Sequence, residues 1–393
     1  MTLMGEFPPR PEDQVTLANW RQAPFSRWAF HHVRELIPTA EIASDPLRVR
    51  PLEGAGGGLN GLAGVKVAGP DGATTLDRWL TETSTDGFVV LHRGRLAGEY
   101  YANGMTAYTP HILMSVSKSV LGLLAGILVG RGSLDPDRPV SAYVPEVRET
   151  AFGDATVRHL LDMRVGVAFE ENYLATSGPI IAYRKAQGWN PVEPGEKPSD
   201  LRSFFGLLTE RDGTHGGRFH YVSPCTDLLG WVIERATGRR YADVLSERLW
   251  RPMGAEAPAY ITVDRLGAPR AAGGMCTTTR DLARLGQMVL ESGAGVVPKL
   301  WIDDILTAGD AAAWDVGSFI DYYPGVPMHY RSKWYVERGE PMMFCLGVHG
   351  QNLFVDPARE LVIAKFSSQA QPLDAGLIAR TAAGVTAIRR ALG

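Results

Sequence analysis

The chain has 393 residues, 45% of them hydrophobic and 21% charged, an ordinary globular composition with length enough for a large core and two lobes. Its 40 Lys and Arg against 43 Asp and Glu leave a net charge of −3, so nothing draws it globally to nucleic acid or to an anionic membrane. The three cysteines, Cys225, Cys276 and Cys345, are odd in number and lack a Cys-x-x-Cys spacing. They call for neither a disulfide framework nor a zinc site and are compatible with a reducing compartment.

Residues 1–75 are rich in proline, glycine and turns and read as an N-terminal extension packed on an α/β lobe. No basic stretch followed by an apolar run opens the chain, so no secretory signal is expected. No run of about eighteen apolar residues occurs anywhere, and a cytoplasmic location is the expectation. The glycines of 54–61 make a flexible loop; without Gly-Lys-Ser/Thr it is no phosphate loop. A short helix is predicted over 76–83. Residues 87–92 and 96–101 read as two strands joined by Arg93-Gly94-Arg95, a hairpin. A buried helix follows, opening at Met114-Ser115-Val116-Ser117-Lys118 and running through Leu121, Leu124 and Leu128 to Val129. Residues 156–163 are a short amphipathic helix with Thr156 near its start.

Residues 164–218 are irregular, apart from a helix over 200–209. A loop of that length inside a compact domain usually serves function, as a lid or a binding wall. Helices are predicted over 226–237 (closed by Gly238), 241–250, 282–290 and 299–307, the third behind a capping-box-like Thr278 and Asp281. From Met343 the pattern turns to strands, 344–348, 353–355 and 361–366, an antiparallel meander, before a last helix over 376–392. Strands therefore come early and late, with helices between them. The fold class is α+β: one antiparallel sheet built from both ends of the chain and flanked by terminal helices, plus a mainly helical lobe. The expected division is 1–75 as the extension, 76–115 with 270–393 as the α/β lobe, and 116–269 as the helical lobe carrying the 164–218 loop. A pocket belongs at the seam.

Chemistry concentrates at Ser115. Three positions apart on a helix, Ser115 and Lys118 share a face. An apolar helix body keeps the amine out of water and lowers its pKa, making it a general base beside a nucleophile. The helix start also offers unpaired N–H groups. Ser-x-x-Lys alone is a weak pattern, and by itself it reads more readily as a capping serine with a solvated lysine. Tyr221, on a turn before the 226–237 helix, is a candidate proton carrier, or a tyrosine packed on the sheet. Gly347-Val348-His349-Gly350 ends a strand. It offers either an oxyanion donor and close substrate approach or an ordinary hairpin turn. Nine histidines show no i, i+4 pair and no His-Glu-x-x-His, so no metal is expected. Gly-x-Ser-x-Gly is absent, against a nucleophile elbow. Asp227, Asp281 and Glu234 read as caps or solvated charges.

Taken together, Ser115-Val116-Ser117-Lys118, Gly132 to Glu146, Thr156 to Gly166, Tyr221-Val222-Ser223 and His349-Gly350 resemble the class C β-lactamase and DD-peptidase group of serine hydrolases. Asn19-Trp20, Arg27-Trp28-Ala29-Phe30, 113–119, 219–231 and 348–353 are most similar to the 6-aminohexanoate-dimer hydrolases, or nylon-oligomer enzymes, within it. The resemblance implies Ser115 as nucleophile, Lys118 as base and Tyr221 as proton carrier. It implies an oxyanion hole from the N–H groups of Ser115 and Val348, and binding walls at Tyr173, Trp189 and Trp334. Arg184 stands where an amide-active relative carries an aspartate for the substrate's ammonium end, so a neutral or anionic acyl end is expected. Ala272 replaces a polar amide side chain, and Ser223 replaces the asparagine of Tyr-x-Asn. His349-Gly350 replaces Lys-Thr-Gly, which tells against β-lactam turnover. The expected activity is hydrolysis of small carboxylic esters or linear amides through an acyl-enzyme, without metal or cofactor. A β-lactamase or DD-peptidase-like enzyme, and a penicillin-binding-type sensor acylated without turnover, stay open. The only partner called for is a small-molecule substrate; a homodimer is compatible with the sequence.

Overall fold

The computed structural model describes residues 3–54, 57–70 and 72–393. Met1, Thr2 and two residues of the expected glycine loop, Ala55 and Gly56, lie outside them. In chain order the strands are β1 (Thr39–Ile42), β2 (Lys66–Val67), β3 (Thr74–Thr75), β4 (Thr85–His92), β5 (Arg95–Tyr101), β6 (His111–Ile112), β7 (Ala259–Thr262), β8 (Met275–Thr277), β9 (Met328–Arg331), β10 (Trp334–Glu337), β11 (Met342–Gly347), β12 (Gln351–Asp356) and β13 (Leu361–Ser367).

The main sheet has seven antiparallel strands in the order β5-β4-β13-β12-β11-β10-β9. The predicted hairpin and meander join where β13 pairs with β4, with Ile363 opposite Val90 and Ala364 opposite Val89. Both central strands are buried along nearly their whole length. That is why they read as continuous apolar runs, with no alternation. The two faces of the sheet carry different helices. A Cβ on Gly286, in the helix Thr279–Leu290, would meet Val362, Leu353 and Val355. Asn352 and Phe354 alternate with those residues on β12. They border a cavity whose far wall is Leu377, Ile378 and Val385 of the C-terminal helix Ala375–Leu392.

A second sheet, in the order β1-β7-β8-β6, departs from the single sheet expected. β7 comes from the lobe expected to be mainly helical and pairs with β1 of the N-terminal extension, Ala40 opposite Ile261. β6 pairs with β8, Ile112 opposite Cys276, and the ladder continues as Leu113 N–H donates to the Met275 carbonyl at 2.8 Å. Short strands of this kind hold too few residues to show a period. The loop of 164–218 also contains a helix, Pro179–Ala186, begun by Gly178 and Pro179. The segment expected as helix over 241–250 is α-helical over Tyr241–Leu245 and widens to a π-turn over Ser246–Trp250. Among the described residues no helix is long and apolar enough to cross a membrane.

Candidate active site

The helix Val116–Gly130 is buried from Val116 through Leu128. Between residues 111 and 128, Ser115 alone is partly exposed. A helix this enclosed needs flat flanks. A Cβ on Gly122 would collide with the Ser332 carbonyl, and one on Gly126 with the Trp301 ring, so both glycines let neighbouring elements close on the helix. Met114 enters it at φ 45°, a left-handed conformation that a non-glycine residue holds only under strain. The β6–β8 ladder anchors that turn from behind.

Lys118 is 1% exposed. Its Nζ lies 2.8 Å from Ser115 Oγ and donates to the Ala272 carbonyl at 2.7 Å. Burial, more than any neighbouring charge, lowers its pKa from 10.5 to about 7; Glu171 opposes the shift and Arg270 adds to it. The amine is thus neutral in a large fraction of molecules at neutral pH, and a neutral amine against a hydroxyl is a base in place.

Tyr221 stands on the turn before the helix Ser223–Thr237. Its N–H donates to Ser318 Oγ at 3.1 Å, and its ring packs on Phe319 with 4.8 Å between centroids. The Lys118 ammonium position is 4.9 Å from the ring centroid, and the phenol meets the Ser115 hydroxyl. Burial, and after it Glu171, pushes the phenol well above its usual pKa, with Ser115 and Arg270 opposing. The phenol therefore keeps its proton at neutral pH. It can pass a proton on but cannot be a resting base, whereas the amine of Lys118 can.

Gly347 closes β11 with no room for a Cβ, which would run into the Leu113 carbonyl and the Met114 side chain. The strand end is thereby pressed against the turn that presents Ser115. Among the described residues the N–H groups of Ser115 and Val348 find no acceptor, and both residues border the two cavities that meet at the serine. Two unpaired N–H groups beside a serine hydroxyl can hold an oxyanion. The chain turns away at once through His349, φ 63°, and Gly350, φ 88°.

A beta-lactamase family model matches residues 76–387. The chain belongs to the beta-lactamase family. Across 376 residues it is 36% identical to the 6-aminohexanoate-dimer hydrolase of Paenarthrobacter ureafaciens, covering 94% of this chain and 92% of that one. It is 27% identical to esterase EstB of Burkholderia gladioli over 156 residues, 39% of this chain and 38% of the esterase. A solved structure from Bacillus anthracis, assigned as a 6-aminohexanoate-dimer hydrolase, superposes with a TM-score of 0.86 at 27% identity, covering 96% of this chain and 97% of that one. The protein is an enzyme, a serine hydrolase of beta-lactamase fold related to 6-aminohexanoate-dimer hydrolase and to esterases.

In this beta-lactamase-family hydrolase Ser115, Lys118, Tyr221 and Val348 come together. Tyr173 borders both cavities, and its hydroxyl donates to Glu171 Oε1 at 3.0 Å. Trp189, Arg184 and His349 border the more polar cavity. Arg184 donates to the Tyr173 carbonyl at 2.9 Å, so it also pins the loop it belongs to. His349 is held near a pKa of about 4 by burial; its Nδ1 donates to the Gln369 carbonyl at 2.8 Å, and the imidazole is neutral. Trp334 is the exception among the expected walls. It is fully buried in β10, its indole N–H donates to the Ser119 carbonyl at 3.2 Å, and it borders neither cavity, because alternation along β10 turns Tyr335 and Glu337 to the apolar cavity and Trp334 to the Ser115 helix.

Four carboxylates need correction or addition. Asp227 is neither a cap nor solvated. It is 2% exposed, pairs with Arg270 at 2.5 Å and with the Tyr183 hydroxyl, and accepts from the Ala272 N–H at 2.8 Å. It thus fixes the peptide whose carbonyl holds Lys118. An acid within the apolar run that includes Leu228 and Leu229 was the available signal that it must be paired. Asp281, read as a cap or solvated charge, is also buried. Its N–H meets Thr278 as a cap would, but its carboxylate serves Arg284 and the N–H groups of Glu256 and Ala257. Glu234 is mostly covered rather than solvated: its carboxylate pairs with Arg202 at 2.7 Å and accepts from the Tyr241 N–H, at the start of the helix Tyr241–Leu245, at 3.1 Å. Glu171 gave no sequence signal, being an acid in an irregular stretch. It accepts from the Ser223 N–H at 2.6 Å and from the Ser223 hydroxyl, a carboxylate at the start of the helix that follows Tyr221. Among the described residues no three His, Cys, Asp or Glu side chains gather as a metal site would require.

Proposed function

We propose that the protein hydrolyses small carboxylic esters or linear amides through an acyl-enzyme on Ser115. Ser115 Oγ attacks the carbonyl carbon while its proton passes to Lys118 Nζ. The carbonyl oxygen takes the negative charge between the N–H groups of Ser115 and Val348. When the tetrahedral intermediate collapses, the bond to the leaving group breaks. The leaving atom receives the Tyr221 phenolic proton, which the Lys118 ammonium replaces. Water then reverses the sequence, giving its proton to Lys118 as it attacks the acyl carbon, and Ser115 is released. No metal or cofactor takes part.

The observation that carries this reading is the 2.8 Å approach of a buried, low-pKa amine to the one partly exposed serine of its helix. The loss of Lys-Thr-Gly at His349-Gly350 favours esters and linear amides over β-lactams. Three buried, unpaired cysteines favour a cytoplasmic setting. Ser115→Ala should abolish hydrolysis of p-nitrophenyl butyrate, and wild type should show a transient mass increase on Ser115 during turnover. Undiminished hydrolysis by the alanine variant would overturn the assignment. A lasting adduct without product would turn it into a sensor.

A further inference from the structure

The two cavities that meet at Ser115 differ in chemistry. One, of about 250 Å³, runs between aromatic and aliphatic walls that include Tyr221, Phe319, Tyr323, Phe344 and Phe354. The other, of about 440 Å³, has Arg21, Arg184, Arg270, Gln187 and Glu171 in its wall. Tyr221 borders the first and not the second. The group that protonates the leaving atom faces the leaving group, so the leaving group occupies the apolar cavity and the acyl chain the polar one.

The polar cavity is short of negative charge. Arg270 is neutralised by Asp227. Glu171, already holding Ser223 and Tyr173, balances one of the two remaining arginines. Neither Arg21 nor Arg184 is ion-paired among the described residues. Arg184 spends two of its five donors on the carbonyls of Tyr173 and Ala175 and keeps the others for a ligand. Arg21 donates to the Asn190 side chain and lies over Trp20 and Trp189, leaving its Nε buried without an acceptor. Gln187 is 1% exposed, and both its amide oxygen and its amide nitrogen lack partners. A buried guanidinium without a counter-charge and a buried amide without partners are each costly, and one ligand that accepts hydrogen bonds and carries a negative charge would relieve both.

We propose that the preferred acyl group carries its own carboxylate. The substrates are half-esters or half-amides of short dicarboxylic acids with an apolar alcohol or amine, the free carboxylate held by Arg21, Arg184 and Gln187. This rests on the Ser115 mechanism above and adds the substrate class to it. Water cleaves the acyl bond to give the dicarboxylate and the free alcohol or amine.

The test compares monobenzyl succinate, glutarate and adipate with benzyl hexanoate, and with 4-(hexanoyloxymethyl)benzoate, which puts the carboxylate on the alcohol. For one of the half-esters kcat/KM should exceed that of benzyl hexanoate by about tenfold or more, the range for hydrogen bonds to a charged group. Arg21→Gln should bring that ratio down by a similar factor, with Arg21→Lys intermediate. Raising salt should lower the ratio in wild type. A half-ester preference no greater than one overturns the proposal, as does a preference for the benzoate ester, which would put the cationic cavity on the alcohol side. Should Arg21→Gln not fold, the wild-type substrate comparison alone decides. Benzyl hexanoate hydrolysis abolished in Ser115→Ala keeps the mechanism standing whichever way the ratio falls.

Discussion

Replacing Lys118 with methionine should destroy activity and stabilise the fold. In an unfolded chain a lysine titrates near its ordinary value of about 10.4, whereas burial in the Ser115 helix brings Lys118 down to about 7. At pH 7 the unfolded state is protonated and the folded state only half so, a gap that costs the native protein about 4 kcal/mol. Methionine fills a similar unbranched volume without charge. Against the gain stands the Ala272 carbonyl, which loses the donor 2.7 Å away and is left buried and unpaired at about 1–3 kcal/mol. The variant should therefore be about 1–3 kcal/mol more stable at pH 7. Because the folded pKa lies below the unfolded one, the penalty on wild type is full below about pH 7 and fades as pH rises toward 10. Urea unfolding of both proteins at pH 7 and again at about pH 9.5 reads both parts. The gap should be open at the first pH and closed or reversed at the second, where only about 1 kcal/mol of the penalty remains against the unpaired carbonyl. A variant less stable than wild type at pH 7, or a gap indifferent to pH, would refute the argument that the amine is held in poor solvent.

In wild type, ester hydrolysis should rise with pH through a midpoint near 7 as Lys118 loses its proton. Glu171→Gln removes a carboxylate that favours the ammonium, so the midpoint should move to lower pH; a shift the other way counts against the assignment. Asp227→Asn leaves Arg270 buried without its partner and should cost about 3–5 kcal/mol in denaturant unfolding. An unchanged midpoint would mean that the pair is dispensable. Gly122→Ala should destabilise by about 1–3 kcal/mol although alanine is the better helix former, since the added methyl meets the backbone carbonyl of Ser332 and no rotamer can turn it away. A variant as stable as wild type would show that the turn between β9 and β10 can retreat.

The parts of the fold legible in the sequence were those with enough residues to show a period or a cap. Thr156 does open its helix, its hydroxyl accepting from His159 N–H, and Gly238 does close the helix before it, at φ 65°. The long apolar runs became β4 and β13, although their pairing joins segments far apart in sequence. The small sheet was invisible because β1, β6, β7 and β8 hold between two and four residues each. At the site, Ser115 and Lys118 could be linked by helix geometry alone, but Tyr221 needed the resemblance as well as its place before a helix. Glu171, Arg270 and Arg21 could not be found. Each gains meaning from one partner elsewhere in the chain, Ser223, Asp227 and Asn190 respectively, and no local spacing records such a partnership. Trp334 shows the converse, a residue in a recognised position whose indole faces the protein interior.

The pairing of β13 with both β4 and β12 also has a temporal side. During synthesis the serine, its lysine and its tyrosine all leave the ribosome well before residues 361–367 do. Until those residues arrive, the early hairpin of β4 and β5 and the later meander of β9 to β12, whose β11 leads to Val348, have no strand to join them. Assembly must wait for nearly the whole polypeptide, as folds dominated by distant contacts do. A nascent chain would therefore be hydrolytically silent, and a late truncation within β13 would disable the centre as surely as losing the nucleophile.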